Sequence, residues 1–159
     1  MGRLSRLVKP IELLRQQAPL LAQRIETAPK SELRKVAVAI AQAAVYRAEL
    51  SDQVITQALE KLKAIPSPDT KLQVRVQAIA DELDENYFTL KEPLEEREDA
   101  GKTDPEVMRA FSKARAASSV AAALADNVGD AAGRAGYEAF MATGDEDYLR
   151  DALQKAMAR

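Results

Sequence analysis

Thirty of the 159 residues are alanine, and they recur at helical spacing rather than in alternation. Alanine loses no side-chain entropy in a helix and has the best intrinsic propensity for it. Helices striped with so small a residue can approach closely. Each contact then buries little area, so several helices must share one core. With only three Phe, four Tyr and no Trp to fill space, this predicts an all-α fold. The segmentation reads as about seven helices in an antiparallel alanine-rich bundle. One domain spans 1–159, with 66–68 and 99–104 as its points of subdivision.

The boundaries follow from local signals. A first helix is expected from Ile11 to Thr27, with Pro10 and Pro19 at starts or kinks. A second runs from about Ser31 to Glu49, striped by Leu33, Val36, Ala37, Ile40, Ala44 and Ala48. Ser51 or Asp52 caps the third, which continues to Ala64. Ser67 as N-cap and Pro68 at the first helical position open the fourth. Its inward seam is Leu72, Val76, Ile79, Leu83, Tyr87, Leu90 and Leu94, and Pro93 is expected to kink or end it near Glu92. Thr103 and Glu106 have capping-box spacing for the fifth, which runs to Asp126. The sixth spans 131–142. Gly144 then closes it and Asp145 caps the seventh, 146–158.

A shift of 94 residues places Ala37, Ala41, Ala48, Ala58, Leu59 and Lys61 on Ala131, Ala135, Ala142, Ala152, Leu153 and Lys155. A true duplication would imply a two-layer helical-repeat array. Four of the six matches are alanine in an alanine-rich chain, so coincidence is the simpler explanation.

The chain contains no His and no Cys. It therefore has no imidazole base, no thiolate nucleophile and no disulfide. The substitutes fail on geometry. Ser118 and Ser119 have no nucleophile elbow around them and no His to activate them. Ser67 precedes Lys71 by four positions rather than the three that Ser-Lys catalysis needs. Gly101-Lys102 has no upstream glycine at P-loop spacing. The carboxylates fit neither an EF-hand nor a di-iron bundle. No catalytic residue, cofactor or metal is expected. No apolar run approaches the length of a membrane span, and the N-terminus lacks a secretory h-region. A cytoplasmic protein is expected.

Charge is the more suggestive signal. Residues 1–35 hold eight Lys/Arg against three Asp/Glu, whereas 81–106 hold three against eleven, in a chain of net charge −2. Either the basic first helix lies against the acidic stretch, or the acidic stretch awaits a basic partner. With the fourth helix's seam turned inward, its opposite face shows Asp81, Glu85, Phe88 and Glu92, and Glu96 continues the stripe. An aromatic ring set among charges is a natural partner anchor. A helix buried on both sides would instead hide Phe88.

These readings favour a non-catalytic protein–protein interaction protein, an adaptor, inhibitor or immunity-type partner, binding through Asp81, Glu85, Phe88, Glu92 and Glu96. The alternative is a carboxylate-dependent or Mg²⁺-binding helical enzyme. A DNA-associated protein using Arg3, Arg6, Lys9 and Arg15 ranks third, and no nucleic acid is expected. Alanine-striped helices pack equally well within one chain or across a homodimer interface.

Overall fold

Each proline near the N-terminus opens a helix. The computed structural model describes residues 8–95 and 104–158. In it α1 (Pro10–Gln17) and α2 (Pro19–Thr27) both begin with proline at the first turn. The single helix expected over 11–27 is thus two. Ala18 between them adopts φ −143° and ψ 74°, because the residue before proline is driven out of the helical region. The remaining helices are α3 (Leu33–Arg47), α4 (Gln53–Ala64), α5 (Thr70–Glu95), α6 (Pro105–Ala123), α7 (Val128–Thr143) and α8 (Glu146–Met157). A 3₁₀ turn, Lys30–Glu32, leads into α3. The fold is all-α, with eight α-helices and no strand among the described residues.

Three caps differ from expectation. The side chain of Asp104, not Thr103, caps α6, accepting from the amides of Glu106 (2.9 Å) and Val107 (3.1 Å). Thr103 itself lies outside the described residues. Asn127 caps α7 by accepting from Asp130 N–H at 3.1 Å, so that helix begins three residues before 131. Asp69 rather than Ser67 starts α5, as described below. The expected caps at Asp52 and Asp145 form, and Gly144 takes the left-handed φ of +62° that ends α7.

Helices α3, α6 and α7 pack on one another at the centre. Helix α1 lies on α7, α2 on α1 and α7, and α8 on α3. On the other side α5 lies along α6, and α4 bridges α3, α5 and α6. Central helices are buried on several faces, which explains why α6 hides ten of its nineteen residues. Alanines supply the close contacts, and Leu14, Leu21, Ile40, Ile55, Leu62, Leu124, Leu149 and Leu153 supply the bulk. Ser119, fully buried, donates to the carbonyl of Ala135 at 2.8 Å and so ties α6 to α7. Gly136 marks the tightest approach. A Cβ there would stand 2.7 Å from Ile25 Cδ1 and 3.0 Å from Leu14 Cδ2, so it would push these two side-chain ends of α2 and α1 aside.

The C-terminus of α6 meets a long-range cap. Arg34 on α3 is 7% exposed, and its guanidinium donates to the carbonyls of Ala123 (3.0 Å), Ala125 and Asp126 (3.2 Å). The intervening carbonyl, Leu124, accepts from Asp69 N–H at 3.1 Å. Four carbonyls at the end of a central helix are thus satisfied by two residues distant in sequence. Burial holds the Arg34 guanidinium below its ordinary pKa, and the charge of Asp126 offsets this in part.

The 94-residue echo falls on α3–α4 and α7–α8, two helix–turn–helix pairs that each have an aspartate-capped second helix. Their packing differs: α8 lies on α2, α3 and α7, whereas α4 contacts α3, α5 and α6.

Candidate functional site

The candidate site lies on α5, a helix of 26 residues. Its start is overdetermined. The Asp69 carboxylate accepts from Leu72 N–H at 3.0 Å and pairs with Lys61. The Lys61 hydrogen bond, helped by the Leu72 amide, holds the Asp69 carboxyl below the usual carboxylate range. These contacts, with the bond to Leu124, select Asp69 over Ser67.

The seam behaves differently along its length. Val76 and Ala80 are fully buried, but beyond Leu83 the inward residues Tyr87, Leu90 and Leu94 are only half-buried. Pro93 does not end the helix. Sitting in the last turns, it removes one main-chain hydrogen bond, and α5 continues to Glu95. The distal half is therefore supported from one side, chiefly by α6.

The outward stripe is where the spacing places it. Asp81, Glu85 and Glu92 are exposed, and Phe88 retains 58% of its accessible surface. Asp81 accepts from the Gln77 side chain at 3.0 Å. Glu96 lies outside the described residues. Phe88 rests against Tyr87 at a ring-centroid distance of 5.1 Å, and Tyr87 meets Phe111 at 5.2 Å, both tilted. The Lys91 ammonium stands 5.6 Å over the Tyr87 ring. An aromatic row thus runs from the half-buried Phe111 through the half-buried Tyr87 to the exposed Phe88 and supports that ring from one side.

Beside this row a shallow cleft of about 250 Å³ opens between α5, α6 and α7. Asp84, Arg115 and Glu138 meet there. One Arg115 nitrogen donates to both oxygens of Asp84 at 2.7 Å, and another donates to Glu138 at 2.6 Å. Burial pushes the Glu138 carboxyl above the usual range, and the charges of Arg115 and Arg134 offset this only in part. For Arg115 burial works against the charged form, but Glu138 and Asp84 outweigh it and hold the guanidinium above its ordinary pKa. One guanidinium clasps two carboxylates and so joins three helices. Sequence reasoning missed this cluster. The available signal was Arg115 standing alone among the alanines at 114, 116 and 117.

Among the described residues no ion pair joins the basic N-terminal stretch to α5. Arg15 pairs with Glu26 at 2.6 Å, and α1 packs on α2 and α7. Arg3 and Arg6 lie outside the described residues. Among the described residues no group of three or more His, Cys, Asp or Glu side chains is arranged to hold a metal ion. None of their helices is long and apolar enough to cross a membrane. No protein-family model matches the chain, and comparison with curated proteins and with solved structures returns no significant match.

Proposed function

We propose that this chain is a non-catalytic interaction protein, of the adaptor, inhibitor or immunity kind, which engages a basic protein surface through the outer face of α5. One observation carries the reading. Phe88, one of seven large apolar side chains left exposed among the described residues, rests against Tyr87 and stands in line with the exposed acids Asp81, Glu85 and Glu92. A rigid ring at the centre of such a face has the makings of a hot spot, and the flanking charges steer and orient a basic partner.

The test is affinity capture from the native host on immobilised wild type and on a Phe88→Ala/Glu85→Lys variant. Wild type is expected to retain one dominant partner with a basic surface. Loss of the ring alone costs about 2 kcal/mol, roughly thirtyfold in Kd. Recovery of no specific partner, or equal recovery on both proteins, counts against the proposal.

The carboxylate-dependent alternative draws on the convergence of Asp84 and Glu138 and on the raised Glu138 pKa. Against it, Arg115 already engages both oxygens of Asp84 and one of Glu138, which suits a structural clasp better than an acid–base pair.

A further inference from the structure

A second concavity lies away from the outer face of α5. It is a groove of about 640 Å³ between α3, α4 and α8. Val38, Leu62 and Met157 contribute to its apolar part, and Lys35, Lys63 and Lys155 line it with a single acid, Glu32. Three lysines against one glutamate leave the lining at +2 in a chain of net charge −2. Lys35 meets Glu32 only at 3.6 Å, and Lys155 pairs with the exposed Asp151 at 3.1 Å. Lys63 makes no ion pair among the described residues.

The outer face of α5 is the complement. Glu85, Phe88 and Glu92 follow one another at spacings of three and four, so they share a face with the ring in the middle. At the helical rise the two acids stand about 10 Å apart along the axis. Acid, ring, acid on an exposed helix face corresponds to lysine, apolar floor, lysine in a groove. The groove cannot take this face from its own chain. It borders Pro66, just before α5 begins, whereas Asp81 lies about 17 Å along the helix from Thr70.

We propose that the groove between α3, α4 and α8 receives the outer face of α5 from a second copy of this chain. The contact is heterologous, so each copy presents one helix face and one groove, and association proceeds head to tail. This rests on the reading of α5 as a recognition face and identifies the basic surface it meets.

The test is sedimentation velocity of the full chain with two charge-reversed variants. Glu85→Lys/Glu92→Lys disables the helix face, and Lys35→Glu/Lys63→Glu/Lys155→Glu disables the groove. All five positions are on exposed surface, and circular dichroism checks each fold. Wild type is expected to gain mass with concentration, and to lose that gain as salt is raised from about 0.05 to 0.5 M. Each variant alone should remain monomeric. Their equimolar mixture should associate head to tail again, because the intact helix face meets the intact groove and the reversed face meets the reversed groove. A wild type that is monomeric up to about 1 mM overturns the proposal. So does association that survives in either variant, or a mixture that stays monomeric. If wild type is monomeric yet host capture is lost with Phe88→Ala/Glu85→Lys, only the second-copy proposal falls. If capture is undiminished, the α5 reading itself fails.

Discussion

Replacing Arg34 by methionine tests how the centre of the bundle is closed. Methionine keeps most of the stem and removes the guanidinium. Three carbonyls then lose their donor. Ala123 is fully buried, so its carbonyl has no water to turn to, an orphaning worth about 1–3 kcal/mol. Ala125 is half-buried and Asp126 exposed, so those two carbonyls can hydrate and each loses about 0.5–1 kcal/mol. Removing a guanidinium that burial disfavours gives part of this back. The net is a loss of about 3 kcal/mol, a large share of the 5–15 kcal/mol typical of a domain. For a chain of this size Tm should fall by about 6–12 °C.

The assay is urea unfolding followed by circular dichroism, with the midpoint lowered and the slope unchanged. Arg34→Lys should lose about half as much, because one ammonium cannot span carbonyls that the planar fork reaches together. If Arg34→Met costs less than about 1 kcal/mol, the α6 terminus does not depend on Arg34 and the reasoning fails.

Two further outcomes are expected. Glu49 ends α3 with φ +54°, a left-handed conformation that costs a non-glycine residue about 1–2 kcal/mol. Glu49→Gly should therefore raise the unfolding free energy by a net of about 0.5–1 kcal/mol, after the added entropy of the unfolded chain, and so move the urea midpoint upward. Glu138 has a folded pKa above its unfolded value, so the native state binds more protons between the two, and stability falls as pH rises through that window. Relative to Glu138→Gln, wild type should gain stability as pH is lowered from neutrality toward the unfolded carboxyl value of about 4.3, and urea titrations of both proteins across that range measure the difference.

What the sequence reveals of this fold is what local chemistry decides. Asp52, Asp145 and Gly144 act within a few residues of themselves, and their helices end where their patterns predict. Spacing sets Phe88 opposite the α5 seam but leaves open whether that face is buried, and only the packing shows the ring to be 58% exposed. Contacts between distant segments were not legible. Arg34 looks like a solvated position on α3 until the end of α6, some ninety residues on, is placed against it. Ser67 reads as the cap of α5 from local sequence alone, and only contacts with Lys61 and Leu124 select Asp69 instead. Asp84 belongs by composition to the acidic surface, and only the neighbouring α6 and α7 turn it into one arm of a clasp.

The same asymmetry separates stability from recognition along α5, and two substitutions on that helix should show it. Val76 is fully buried under the bundle. Val76→Ala removes two methyl-sized groups and leaves a void, about 2–3 kcal/mol in total. Phe88 is 58% exposed and its described ring contact is with the neighbouring Tyr87. Phe88→Ala should cost less than about 1 kcal/mol of folding stability. Binding should respond in the opposite order: Phe88→Ala weakens capture of a partner, whereas Val76→Ala, below its own unfolding midpoint, leaves capture intact. Paired urea titrations and capture assays on the two variants decide the matter. If Phe88→Ala unfolds as readily as Val76→Ala, the ring is a packing residue, its exposure is incidental, and the outer face of α5 loses its claim to be the recognition surface.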